Sequence, residues 1–302
     1  MTGVQTCALP ISTGEYLDRI EAGGVAVNAG FLCGHSSLRR VAMGERAVGG
    51  VATEDNLVAM EGMLHDALAA GAMGFSSSQA HTHNDGDGEP VPSRAAAPEE
   101  LVRLASALRS HPGTQLELIL AGCLNGFADD EIELMIAMSL AADRPLNWNV
   151  LGVGGGGGHE SQLAAGTRAA ERGARVVALT LPQGMRIRLS FLTGFVLDGL
   201  PGWRETFALP VAERIRVLSD PEQRRRLDEL VRSPEAGVLG GIARWERMEI
   251  CEGFTPATRA LEGHKVGEIA AERGAEPFDA LCAIVCADGL RTGLRPDFGG
   301  PE

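Results

Sequence analysis

Alternation constrains this chain more than any other feature. Short apolar runs alternate with longer stretches whose apolar residues recur every three or four positions. Val25 to Cys33 (VAVNAGFLC) reads as a buried strand ending in Gly34-His35. Thr53 to Ala70 reads as an amphipathic helix, with Thr53 as N-cap and Gly71 as stop. Met73 to Ser77 is a short strand, and a polar loop follows from Ser78 to Ala97. Pro98-Glu99-Glu100 opens a helix reaching about Arg109. Leu116 to Ala121, Leu146 to Leu151 and Arg175 to Leu181 read as strands, separated by helices over Asp129 to Ala142 and Ser161 to Arg172. Strand and helix in strict turn imply a parallel sheet with helical crossovers, either a barrel or an open doubly wound sheet.

After Pro182 the rhythm breaks. Met185 to Arg247 is rich in helical pattern with few strand signals. Val266 to Arg273 and Pro277 to Asp288 then read as two helices split by Gly274, and the chain ends in what reads as a loop, RPDFGGPE. The expected organisation is strand-helix repeats over 13–184, a helix-rich insertion over 185–262 and a return to barrel helices over 263–302. Residues 1–12 stand apart. They have no basic residue and no continuous apolar core, so they are not a secretory signal. Back-translated from a GTG start, Met1 to Ile11 resembles the tail of a sequencing-library adapter, which would remove Cys7 from the cysteine count.

Charge narrows the function classes. The net charge is -13, and phosphate backbones need clustered Lys and Arg, so nucleic acid is not an expected partner. The run Arg224-Arg225-Arg226 is flanked by acids and reads as a solvated helix face. No apolar run is long enough to span a bilayer. The five cysteines other than Cys7 contain no CxxC pair, which fits a reducing, cytoplasmic compartment. Cys282 and Cys286 share one face of an apolar helix and read as packed thiols.

In parallel α/β folds, sites gather at the carboxyl ends of strands. That rule selects His35 and Arg39 after the first strand, Ser76, Ser78, His81 and His83 after the second, and Cys123 and Asn125 after the third. Asn147 and Asn149 follow on the fourth, with Gln183 and Arg186 after the fifth. His81-Thr82-His83 has metal-ligand spacing for a strand, but it sits in a loop, where the two rings need not share a face. His65 and His111 read as surface residues and His159 as a helix-start residue. The run Gly152 to Gly158 satisfies G-x-G-x-x-G between a strand and a helix, the setting of a pyrophosphate loop. No acid ends the next strand to hold a ribose, and five consecutive glycines match almost any glycine pattern.

Three strings point to one family: GHSSLRRVAMGERA, MLHDALAAGAMGFSSSQAHTHNDGDGEPVP and GHKVGEIAAERGAEPFDAL. In order and spacing they resemble the N-acyl-D-amino-acid deacylases (D-aminoacylases) of the amidohydrolase superfamily. The resemblance implies an incomplete (β/α)8 TIM barrel, lacking its first and last strands and the family's small β-sandwich. It also implies hydrolysis of the amide bond of an N-acyl-D-amino acid or related small molecule by water activated on a divalent metal, usually zinc.

Carried over residue by residue, the resemblance makes His35, Arg39, Ser76, Ser78 and His81 a substrate-side rim, with His81 where other members have a substrate-contacting tyrosine. The family's H-x-H pair and bridging cysteine fall upstream of these residues, and its catalytic aspartate falls beyond the last one. His81 and His83 are therefore not that metal pair. Two further metal histidines are expected on the strands Leu116 to Ala121 and Leu146 to Leu151, and neither strand contains one. The metal is thus expected in a longer parent protein and not on this chain. Two alternatives stay open: a nucleotide-binding protein using the glycine run, and a fragment with no function. Oligomeric state is not legible.

Overall fold

The computed structural model describes residues 12–85, 88–124, 126–152, 158–181 and 186–297. The chain divides into two compact units, one of residues 1–80 and 90–180, the other of residues 81–89 and 181–302. The adapter-like stretch, Asn125, Gln183 and the core of the glycine run lie outside the described residues.

The first unit is the strand-helix series. Its elements are α1 (Thr13–Gly23), β1 (Cys33–Gly34), α2 (His35–Met43), α3 (Glu54–Ala69), β2 (Gly74–Ser78), α4 (Pro98–Ser106), β3 (Gln115–Ile119), α5 (Asp129–Ala142), β4 (Leu146–Trp148), α6 (Gly158–Glu171) and β5 (Val176–Ala178). The strands form one five-stranded sheet in the order β1-β2-β3-β4-β5, and every pairing is parallel. Helix α3 starts where the sequence puts it: the Thr53 hydroxyl accepts the Asn56 N–H at 3.3 Å, and Asn56 accepts the Thr53 N–H in return at 3.1 Å. β2 and β3 approach so closely at Gly74, whose φ is +151°, that a Cβ there would lie 1.8 Å from the Gln115 carbonyl oxygen.

Sheet register separates two faces. Phe75, Leu116, Leu146 and Val176 lie side by side and are buried. They pack with Leu101, Leu104 and Leu108 from the α4 region and Ile132, Met135 and Ile136 of α5 into one apolar cluster. That cluster is the core of the first unit, and it holds the sheet against its helices.

The expected first strand needs correction. Only Cys33–Gly34 pairs, and Val25 and Val27 are 55% and 74% exposed. β1 is an edge strand bonded to β2 alone. An apolar β-branched run becomes a strand only where a neighbour supplies partners, and here pairing begins only at Phe31, whose carbonyl accepts the Met73 N–H at 2.8 Å. The expected loop after Ser78 also holds a 3-10 turn at Pro92–Ala95.

The second unit is mostly helical, with α7 (Arg204–Phe207), α8 (Val211–Ser219) and α9 (Pro221–Val231). Next come β6 (Glu249–Glu252), α10 (Pro256–Arg259), α11 (Val266–Arg273), α12 (Pro277–Ala287) and β7 (Gly293–Arg295). α11 ends at Gly274 in the left-handed conformation, which separates it from α12. β6 and β7 pair antiparallel, so a strand reaches Arg295, the first residue of the stretch that the sequence reads as loop. The core here is aromatic. Trp203 stacks on Trp245 at 5.5 Å between centroids and Trp245 on Phe278 at 4.9 Å, with Phe191 and Phe207 alongside. Cys282 is fully buried and Cys286 partly so. Among the described residues no helix is long and apolar enough to cross a membrane.

Candidate functional site

Alternation along the strands puts a polar row on the sheet face opposite the core. Ser76, Glu117 and Asn147 occupy one register line across β2, β3 and β4, with Ser78 and Ile119 on the next. All are partly exposed, between buried neighbours. Two amides lock the row together: Asn149 Nδ2 donates to Glu117 Oε1 at 2.5 Å, and Asn147 Nδ2 donates to Gln115 Oε1 at 3.2 Å. One carboxylate therefore stands in register between Ser76 and Asn147 and accepts the Asn149 amide, an arrangement suited to holding a polar small molecule through hydrogen bonds.

Sequence reasoning reached Ser76, Ser78, Asn147 and Asn149 here but missed Glu117 and Gln115. The signal was the alternation in QLELI, where polar residues at every second position of a strand must share a face.

His35 and Arg39 lie on the other side of the sheet. They sit in the first turns of α2 and are 1% and 0% exposed. His35 Nε2 bonds Glu100 Oε1 at 2.8 Å, and His35 Nδ1 bonds Ser77 Oγ at 2.9 Å. Arg39 Nη1 donates to both Glu100 oxygens at 2.6 Å, and its Nη2 donates to the Gly50 carbonyl at 2.5 Å. Burial pushes the His35 imidazole below its ordinary pKa, more than Glu100 raises it. Burial pushes Glu100 up, but hydrogen bonds from His35 and Arg39 outweigh it and hold the carboxyl below the ordinary carboxylate value. A neutral His35 beside an ionised carboxylate carries its proton on Nε2, so the Ser77 hydroxyl donates to Nδ1.

The order Ser77–His35–Glu100 matches that of a nucleophilic triad, but the setting does not. Ser77 is 8% exposed and faces the helix layer, away from the polar row, and Arg39 also grips Glu100. The cluster ties β2, α2 and α4 together.

Glu100 was invisible as a site residue, although its position carried a clue. It falls on the apolar stripe of α4 with Leu101 and Leu104, as Arg39 falls on that of α2 with Leu38 and Met43. Opposite charges on two inward-facing stripes imply each other.

The remaining candidates are dispersed. His81, assigned to the second unit, is exposed; His83 is partly exposed, and the two lie in and beside a turn rather than on a strand. Cys123 is buried, and its thiol is pushed up to about 11, chiefly by burial. His159 is the second residue of α6.

Zinc takes three or four nitrogen, sulfur or carboxylate ligands around one point. Among the described residues no group of three or more His, Cys, Asp and Glu side chains is placed to hold a metal ion. The polar row supplies one carboxylate among amides and hydroxyls, so its donor set does not fit zinc.

Comparison with known proteins agrees on the lineage. Residues 10–216 match the amidohydrolase family. A 99-residue stretch is 31% identical to the D-aminoacylase of Alcaligenes xylosoxydans xylosoxydans, covering 33% of this chain and 18% of that protein. A solved D-aminoacylase, described for the functional role of its binuclear metal center, is similar at a TM-score of 0.50 and 22% identity, over 95% of this chain and 48% of that one. The N-acyl-D-glutamate deacylase of Bordetella bronchiseptica, solved with zinc and a phosphonate inhibitor, is similar at 0.51 and 19%, with the same coverage. The chain thus spans about half the length of these structures, and at such identities the likeness is one of fold.

Proposed function

Because the chain belongs to the amidohydrolase family, we propose that the protein it represents hydrolyses the amide bond of N-acyl-D-amino acids or closely related amides. The observation that carries this reading is the polar row on the sheet's open face, Ser76–Glu117–Asn147 in one register line. Ser78 closes β2 on the same face, at the carboxyl end where parallel α/β sheets gather their sites.

In this reading Ser76, Ser78 and Asn147 hydrogen-bond the acyl and amide groups of the substrate. Glu117 accepts from Asn149 and fixes the direction of that amide. His35 and Arg39 do not touch substrate. They act as positioning residues, holding β2 through Ser77 and Glu100 so that Ser76 and Ser78 face the open side. The family's metal would have to be held by ligands other than the row.

The test is release of free amine from N-acetyl-D-amino acids and their L enantiomers. It is run on the purified chain and on the product of the complete reading frame, with added Zn(II) and after chelation. Metal-dependent release from the D series is expected in the longer product. Release from neither series would remove the deacylase reading and leave family membership untouched.

A further inference from the structure

The inference concerns the opposite side of the first unit and does not depend on the hydrolase reading. His65 lies in α3, and His111 follows the 3-10 turn Ala107–Ser110 that ends the α4 region. Forty-six positions apart in sequence, they meet with His65 Nδ1 2.9 Å from His111 Nε2. The ring centroids are 5.2 Å apart and the planes 39° from parallel. Both side chains are partly exposed, so small solutes reach them. The sequence reads both as unremarkable surface histidines; only the fold pairs them.

We propose that His65 and His111 form a two-nitrogen site for a divalent transition metal of tetragonal preference, Cu(II) or Ni(II). The spacing argues for this class. Imidazole nitrogens lie about 2.0–2.1 Å from a bound metal, and two such nitrogens 2.9 Å apart subtend about 90° at it. A right angle joins neighbouring positions of a square plane, the arrangement of Cu(II) and Ni(II). A tetrahedral Zn(II) would hold the same nitrogens about 3.3–3.4 Å apart.

The pair now shares one hydrogen bond, so one nitrogen carries a proton and the other a lone pair. On binding, that proton moves through water to the far nitrogen of its own ring. Both facing nitrogens then present lone pairs, and each neutral imidazole keeps one proton. Each lone pair turns about 45° off the line between the nitrogens, which the soft terminal torsion of histidine allows. Water fills the remaining positions on the exposed side.

Electron paramagnetic resonance of the purified chain titrated with Cu(II) tests the site. The expected result is one axial Cu(II) signal with coupling to two imidazole nitrogens. His65→Gln and His111→Gln should each weaken binding at least tenfold, while His81→Gln leaves it unchanged. Copper about 100-fold above its dissociation constant should raise the folding equilibrium constant about 100-fold, read as a rise in melting temperature that falls to about half or less in both Gln variants. If a variant fails to fold, broadening of the His65 and His111 imidazole resonances by substoichiometric Cu(II) in the unaltered chain carries the test. Binding that survives either Gln substitution, or copper that broadens other histidines first, overturns the proposal.

Discussion

Each unit has an apolar core, and each also buries a distinctive group, the two built on opposite principles. The first encloses Arg39, Glu100, His35 and Ser77, a charged group in which nearly every polar atom has a named partner. The second encloses Trp203, Trp245, Phe278, Phe191 and Phe207, where only the indole N–H groups need partners, found in the Leu227 carbonyl and Asp228. Area burial is additive and forgiving of angle, whereas a buried charge network works only when complete. The aromatic cluster therefore stabilises by bulk. The charged cluster specifies which residues of β2 face which side, at a desolvation cost its hydrogen bonds must offset.

Substitutions can break that contrast. The largest effect is expected from Trp203→Ala. It empties the middle of the aromatic stack and should cost about 3–5 kcal/mol in denaturant-induced unfolding, with a smaller loss for Trp203→Phe. Glu100→Gln should cost about 3 kcal/mol, because it leaves Arg39 buried against a neutral amide. Replacing Arg39 and Glu100 together by Met and Leu should recover most of that loss. If the double replacement were as damaging as the single one, the ion pair would itself stabilise the fold and not only specify orientation.

Acidity separates the two units next. His35 and Glu100 are both held below their ordinary values, so each binds fewer protons folded than unfolded. Their contribution is full above the ordinary imidazole value of 6.5. It falls as pH drops below that, and falls again below the ordinary carboxyl value of 4.5. Stability measured from pH 7.5 to 5 should decline in the unaltered chain, and the decline should flatten in His35→Gln. An unchanged slope would mean that His35 is not the group responsible.

A smaller effect sharpens the same comparison at a surface. Thr53→Ala removes the N-cap of α3 and should cost about 1 kcal/mol, without altering the pH slope.

Much of the first unit was legible because its signals are local. Thr53 capping α3 and alternation in Gln115–Ile119 each depend on neighbours a few residues away, as does Gly274 ending α11 in the second unit. Val25 to Leu32 failed as a strand because strand formation needs a partner, and apolar composition does not supply one. β7 was missed for the opposite reason: Gly293–Arg295 has little strand character of its own and is held by β6. In the candidate site, polar residues on strands were found from order alone, while His35 and Arg39 were selected for a rim because they follow a strand end. Their burial came from Glu100, 65 and 61 residues away.

By itself the sequence determined the alternation of elements and the parallel sheet it implies, and its three motif strings carried the family resemblance. The alternation and the sheet follow from periodicities and turn residues written within a few positions. The tertiary structure alone decided which polar residues are partners and which are available. It put Glu117 beside Asn149, Glu100 between His35 and Arg39, and His65 against His111. Those outcomes depend on which helix packs over which strand, and a hydrogen bond of under 3 Å cannot be read from residues separated by dozens of positions until the core that brings them together has formed.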